Sequence, residues 1–413
     1  MSPVRLPSPN ALLKLRNSVA QAAAADLAAN AEANAGKASP SNPEGPEQEL
    51  ATARALAAQG QAHTAIARGV RELGGPLVPI ALPRRAADAH DVVIDIEFCG
   101  LCHSDVHAAR GEWGGRALPL VPGHEIVGTV AAIGSEVTLH RVGDRVGVGC
   151  LVASCRECEQ CLAGQEMFCT QSSVGTYGAW DRFHGERTQG GYSTSVVVAE
   201  DFVLRIPQGL DPAAAAPLLC AGITTYSPLV AAGVGPGTTV AVAGLGGLGH
   251  LAVKIAAALG ADVTVFTTSP AKASDARELG AGDVVLSTEP GALDAAAGSF
   301  DVVIDAIAAP HDINAYLRTL RPGGRLVQVG LPPTGDAGQS VDASLLVRGG
   351  LSLVGSKIGG IPQTQEMLDF CAEHGVATQI EVVTEPELNR AWDRMVAGDV
   401  KYRFVLDVAS LSS

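Results

Sequence analysis

Four cysteines, Cys155, Cys158, Cys161 and Cys169, are spaced C-x2-C-x2-C-x7-C. Three thiolates on a tight knuckle and a fourth a turn away can close a tetrahedron around zinc, and four sulfurs leave that ion no open position. The lobe therefore reads as structural, with a four-cysteine iron–sulfur site or plain thiols and disulfides as the other chemistries the spacing allows. A second set is dispersed: Cys102 in Phe98-Cys-Gly-Leu-Cys-His-Ser-Asp105, His124 in Pro122-Gly-His-Glu125, and Cys220 in Ala216-Pro-Leu-Leu-Cys-Ala-Gly222. Singly each is ordinary, since a buried cysteine behaves as a small hydrophobe and Cys99-x-x-Cys102 has the spacing of a redox pair. Together, two thiolates and one imidazole leave a fourth position for water or substrate, which is what a catalytic zinc needs.

A third motif, Gly244-Leu-Gly-Gly-Leu-Gly249, follows an apolar run and opens a helical one. Gly244, Gly246, Gly247 and Gly249 let the backbone approach a pyrophosphate, whose charge a helix N-terminus stabilises. An acidic residue gripping a ribose 2′-hydroxyl belongs at the end of the next strand. Here that strand ends Phe266-Thr267-Thr268-Ser269, with Lys272 close behind and no Asp or Glu. Hydroxyls and a lysine suit a 2′-phosphate that a carboxylate would repel, so NADP is favoured over NAD.

Strands and helices must hold these groups, and the chain is long enough to supply them. Its 413 residues suit two or three domains, and 47% hydrophobic against 17% charged residues can build a sizeable core. A net charge of −14 argues against a general phosphate-backbone binder, so no nucleic-acid partner is expected. The most apolar stretches, 212–230 and 239–259, are interrupted by prolines or by glycines, a histidine and a lysine, so no membrane span is expected. The nine cysteines, clustered and odd in number behind a start without an apolar signal core, point to metal ligation and a cytoplasmic location.

Residues 1–60 differ from the rest. Leu12, Leu15, Val19 and Leu27 recur at helical spacing among alanines, predicting a helix over 11–33 after Asn10. A Pro/Ser linker follows over 37–46, then a second Ala-rich helix over 47–59. A loose tail, a helix that docks a partner, and a compartment-targeting segment within 1–35 are the three readings of this extension. From residue 61 short β runs dominate, including Val92–Phe98, Ile126–Ile133 and Arg145–Val148. From Gly237 apolar strands alternate with helices, the pattern of a parallel doubly wound sheet. The expected division is an extension over 1–60, a catalytic zinc domain over 61–209, a dinucleotide domain over 210–350, and a return to the catalytic domain over 351–413.

These motifs resemble the zinc-dependent medium-chain alcohol dehydrogenases, and within them the cinnamyl alcohol dehydrogenase branch with its bacterial NADP-dependent aldehyde reductases. The resemblance covers about residues 62–410 and includes Val121-Pro-Gly-His-Glu-Ile-Val-Gly128, Gly143-Asp-Arg-Val146, Gln189-Gly-Gly-Tyr192, Pro217-Leu-Leu-Cys-Ala-Gly-Ile-Thr-Thr-Tyr226 and Asp399-Val-Lys-Tyr-Arg-Phe-Val405. It implies an α/β fold in which an irregular β-rich, GroES-like catalytic domain carries an inserted Rossmann domain, with two zinc ions per chain. It implies that Cys102, His124 and Cys220 bind the catalytic zinc, with Glu125 beside them and Asp105 holding the imidazole of His124. It further implies a proton relay through Ser104 to His107, His103 near the cofactor pyrophosphate, and Trp113 lining the substrate pocket. The loop from Gly175 to Gly190, with Tyr177 and Trp180, is expected as a second wall, and either Lys401 or Arg403 as a cofactor contact. His250 is expected on a helix surface. The implied reaction is hydride transfer between NADPH and a small-molecule aldehyde, in a homodimer. A polyol dehydrogenase of the same superfamily and a non-enzymatic zinc scaffold are the rival readings.

Overall fold

The computed structural model describes residues 46–332 and 339–412. The helix predicted over 11–33 lies outside the described residues. The second Ala-rich stretch forms a helix, Pro46–Ala57. Its last residue, Ala57, packs against Val93 and Ala132 of the first sheet. The folded unit therefore begins before residue 61, because a helix ending on a small apolar residue can sit flat on a strand pair.

That first sheet has seven strands. Leu204–Arg205, Arg145–Val148, Ile126–Ile133, Asp91–Gly100, Arg403–Asp407 and Ile380–Val383 follow one another across it, and Ser195–Ala199 adds to Asp91–Gly100. Most pairs are antiparallel, but the strand Ile380–Val383 runs parallel to Arg403–Asp407. Asp91–Gly100 is central and buried on both faces at Val92, Val93 and Ile94. Its register with Ile126–Ile133 shifts twice, at Val93/Ile94 and Ile96/Phe98. Such irregularities re-aim side chains, and the chain leaves this strand directly into Leu101 and Cys102.

The second sheet is all parallel, with six strands: Thr239–Ala243, Asp262–Thr267, Asp283–Leu286, Phe300–Asp305, Leu320–Gln328 and Ser352–Gly355. Numbered along the chain, they are ordered 3-2-1-4-5-6. The order reverses between the first and fourth, opening a crevice beyond Ala243 and Asp305 where such sheets bind ligands. The sixth strand lies past the boundary expected at residue 350. Leu353 and Val354 pair with Leu326 and Val327, so the sheet continues before the chain returns to the first domain.

The helices follow the predicted rhythm, as at Gly249–Ala258 and Ile361–His374. No single helix among the described residues is long and apolar enough to cross a membrane. The bent pair Pro212–Leu219 and Ala221–Ala231 is buried along most of its length, in the core shared by the two sheets.

Candidate active site

The chain leaves the central strand at Gly100 and enters the helix His103–Arg110 with Cys102 as its cap. Asp105, in the first turn of that helix, turns back to accept the Cys102 amide at 3.0 Å. Its carboxylate also accepts the Gly123 amide at 3.1 Å, His124 Nδ1–H at 3.1 Å and the Tyr192 hydroxyl at 3.0 Å. One fully buried carboxylate thus fixes the backbone beside two candidate ligands and the orientation of the imidazole. With Nδ1 so engaged, His124 Nε2 faces Cys220 Sγ at 3.2 Å. Cys220 comes from the turn between the bent helices.

Ligand atoms of Cys102, His124, Glu125 and Cys220 lie within 4.8 Å of one another. Two sulfurs, one nitrogen and a carboxylate oxygen are a donor set zinc accepts. Glu125 Oε2, fully buried, has no hydrogen-bond partner among the described residues. An uncompensated buried oxygen is costly unless a cation completes it, so the residues fit the ion. The hydrogen bond from Cys220, with the positive field of Arg403 and His124, pulls the Cys102 thiol well below its ordinary value against the effect of burial. Burial pushes the Glu125 carboxyl up to about 7 although Arg403 donates to Oε1. Cys150, which the sequence left without a role, lies against the same site, with its Sγ 4.0 Å from the carbonyl of Leu219.

The other four cysteines also converge, with sulfurs within 4.8 Å of one another. Amide groups point at them: Cys155 N–H reaches Cys169 Sγ and Cys158 N–H reaches Cys155 Sγ, each at 3.4 Å. Hydrogen bonds from the Cys161 and Thr170 amides lower the Cys158 thiol to about 5. Amides aimed at sulfur favour thiolates, which is what a four-sulfur metal site requires. All nine cysteines are free in this structure.

The Gly-rich turn lies at the crevice. Gly244 has φ +89°, and a Cβ on Gly249 would overlap the Gly244 carbonyl, so both positions exclude side chains. A Cβ on Gly246 would meet nothing within 4 Å, which leaves that backbone open to a ligand. At the end of the next strand, Thr267 is buried and accepts the Ser269 amide at 3.2 Å, whereas Thr268 is exposed. Lys272 is half-buried, its Nζ donating to the Leu245 carbonyl at 2.8 Å. An alcohol dehydrogenase GroES-like domain matches residues 88–208, and a zinc-binding dehydrogenase domain matches residues 247–373. The chain belongs to the zinc-binding alcohol dehydrogenases.

It is 54% identical over 339 residues to "NADP-dependent alcohol dehydrogenase C 1" of Mycolicibacterium smegmatis, covering 82% of this chain and 96% of the relative. It is 48% identical over 338 residues to "Aldehyde reductase YahK" of Escherichia coli, covering 82% and 96%. Among solved structures it resembles a cinnamyl alcohol dehydrogenase from Sorghum bicolor, with TM-score 0.81, 44% identity and coverage of 84% and 98%. A CAD from Helicobacter pylori complexed with NADP(H) gives TM-score 0.80, 38% identity and coverage of 84% and 99%. This zinc-binding alcohol dehydrogenase is therefore an oxidoreductase of the alcohol–carbonyl couple.

Several of the dehydrogenase's site residues had only a faint signal in the sequence, or none. Arg403 and Lys401 were equal candidates, and the structure separates them. Arg403 is buried, donates to Glu125 and lies over Gly247, where a Cβ would meet its Cδ at 2.9 Å. It thus joins the Cys102–His124–Glu125–Cys220 cluster to the Gly-rich turn, whereas Lys401 pairs with Asp275 on the outside at 2.9 Å. His250 is a correction: it is fully buried, not on a surface, bonded through Nδ1 to the Gly246 carbonyl at 3.1 Å and stacked on Tyr402 at 4.9 Å. Burial pushes its imidazole down to about 3. Ser104 and His107 lie half-buried on one helix, and His103 is exposed. His107 Nδ1 bonds Glu112, which the sequence reading did not single out, and its ring lies 4.7 Å from that of Trp113. Tyr177 lies 5.6 Å, ring to ring, from His124, whereas Trp180 is 56% exposed and outside the cluster.

Proposed function

We propose that this enzyme reduces aldehydes, aromatic or aliphatic, to alcohols with NADPH, and runs the reverse oxidation. The observation that supports this most is the convergence of Cys102, His124 and Cys220 beside the Gly244–Gly249 turn, with Arg403 touching both sides. In this reading Cys102, His124 and Cys220 would hold one zinc, which would supply Lewis acidity toward the carbonyl oxygen, with NADPH as the hydride source. The second zinc belongs to Cys155, Cys158, Cys161 and Cys169 and holds its lobe together.

The remaining work falls to the chain. Asp105 keeps His124 in the tautomer that presents Nε2 to the cluster. Ser104 returns the proton to the product oxygen, and His107, one helical turn on, resupplies it. The bond from His107 Nδ1 to Glu112 leaves Nε2 to take and give that proton. Trp113, its ring tilted against that of His107, walls the substrate. Arg403, His103 and the Gly244–Gly249 backbone receive the pyrophosphate. Thr268 and Lys272 receive the 2′-phosphate, Lys272 exchanging the Leu245 carbonyl for it.

In the same reading the catalytic domain spans the first sheet and its C-terminal return, with the dinucleotide domain between them. Two copies pair along Ser352–Gly355, the last strand of the parallel sheet, where Val354 is 37% exposed. A backbone edge and exposed aliphatic groups are what a sheet-extending partner needs. The chain works in the cytoplasm, and the helix expected over 11–33 docks a partner. Initial rates on an aldehyde panel with NADPH and NADH, together with zinc content, test the proposal. Two zincs per chain and a clear NADPH preference are expected. Equal use of NADH, or fewer than two zincs in active enzyme, overturns it.

A further inference from the structure

The Gln189-Gly-Gly-Tyr192 motif has no part in the chemistry above, yet it runs directly beneath the metal cluster. Residues 190–192 lie along 121–123: Gly190 N–H donates to the Val121 carbonyl at 2.8 Å, Gly191 N–H to Gly123 at 2.9 Å, and Tyr192 N–H to Pro122 at 3.0 Å. Neither glycine can be replaced without collision. A Cβ on Gly190 would overlap the Pro122 and Gly123 carbonyls, and one on Gly191 would overlap Ile126. Gly123 closes the fit from the other side, because a Cβ there would meet Tyr192 Cδ1 at 2.7 Å. The glycines thus bring the Tyr192 ring against the backbone immediately before His124.

From there a buried line of hydrogen bonds runs outward. His124 Nδ1–H donates to Asp105 Oδ1 at 3.1 Å, the Tyr192 hydroxyl donates to Asp105 Oδ2 at 3.0 Å, and Trp392 Nε1–H donates to the Tyr192 oxygen at 3.3 Å. Asp105 and Tyr192 are fully buried, and His124 and Trp392 are 5% and 8% exposed. Trp392 belongs to the helix Leu388–Val396 of the C-terminal return, 200 residues from Tyr192. Asp105 has further donors in the Cys102 and Gly123 amides, and the Tyr177 side chain also bonds to it. Tyr192 shares Oδ2 with the Cys102 amide and ties that oxygen to Trp392.

We infer that Tyr192, backed by Trp392, is a positioning residue for the catalytic metal site: it locks the Asp105 carboxylate, which in turn aims His124. The inference rests on the zinc reading of Cys102, His124 and Cys220 given above. Beside the Arg403–Glu125 pair, it adds a second dependence of that site on the C-terminal return.

The test follows zinc rather than turnover. Zinc-loaded wild-type enzyme and Tyr192→Phe are mixed with a colorimetric chelator, and the release of each zinc is timed. The four-cysteine lobe serves as the internal reference. Partners outside the ligand shell typically change metal affinity about 10- to 100-fold, and the low end applies here because Asp105 keeps its amide donors. The expected result is about tenfold faster loss of one zinc, the other unchanged, with altered ligand-field bands when cobalt fills the faster site. Release within twofold of wild type with an unchanged cobalt spectrum overturns the inference, as does equal acceleration of both zincs. If wild-type enzyme holds zinc only in the four-cysteine lobe, the underlying site reading fails instead. Should Tyr192→Phe not fold, Trp392→Phe probes the same line one step out. At least twofold faster loss of one zinc is then expected, and an unchanged rate overturns the inference.

Discussion

Replacing Thr268 with Asp should move the enzyme from NADPH toward NADH. Thr268 is the exposed residue at the end of the second dinucleotide strand, and Lys272 lies four residues on. A carboxylate there would stand roughly 5 Å from a bound 2′-phosphate. Two unit charges at that distance repel by about 3 kcal/mol at an effective dielectric of 20 and by about 1 kcal/mol in water. An exposed site falls between these limits, and 2 kcal/mol is about a thirtyfold loss in kcat/KM for NADPH. With NADH the carboxylate instead accepts ribose hydroxyls, and a charged hydrogen bond contributes about 1.5 kcal/mol, or roughly tenfold. The preference ratio should therefore shift by about two orders of magnitude toward NADH. Initial rates with each nucleotide at varied concentration, at fixed salt and aldehyde, measure it. The melting temperature should hardly move, because an exposed substitution breaks no packing. A Thr268→Asp enzyme whose preference shifts less than threefold would refute the assignment of the 2′-phosphate to this corner.

Other substitutions test the metal sites and the fold around them. Cys220→Ser should leave about one zinc per chain by metal analysis and abolish turnover; retention of two zincs would exclude Cys220 as a ligand. Cys158→Ser should instead remove the other zinc and lower the melting temperature by several degrees, since structural zinc sites contribute folding energy. Gly249→Ala should weaken nucleotide binding at least tenfold in a fluorescence titration, because its Cβ overlaps the Gly244 carbonyl. The His311 imidazole bonds Asp305 at 2.9 Å, and that hydrogen bond raises it above 6.5. A raised group stabilises the fold fully below its unfolded value and loses that contribution as pH climbs through the folded one. His311→Gln should therefore cost about 1 kcal/mol in urea melts at pH 6 and little at pH 9, and an equal cost at both would refute the pairing.

The four-cysteine cluster was legible in the sequence because metal-ligand chemistry restricts both residue type and spacing. Cys155, Cys158, Cys161 and Cys169 converge within one short lobe, so local spacing was enough. Gly244 and Gly249 were legible for a similar reason, since a turn with no room for a Cβ demands glycine. The strand–helix alternation after Gly237 likewise implied the parallel sheet.

What the sequence left open depends on partners far apart along the chain. Glu125 and Arg403 are 278 residues apart, and their pairing follows from the strand Arg403–Asp407 lying beside Asp91–Gly100. That strand order sets Arg403, and not Lys401, beside Glu125. His250 looked like a surface residue because the sequence around it carries no sign that Tyr402 returns to cover it. Pro46–Ala57 reads as part of an extension until Val93 and Ala132 are seen beneath Ala57, and Ser352–Gly355 falls outside the expected dinucleotide domain until Leu320–Gln328 pairs with it. Residue types and local spacing determined which chemistry this protein carries. The tertiary structure decided which distant side chains orient it, because buried hydrogen bonds and strand registers are set by packing across the whole chain and not by neighbours in sequence.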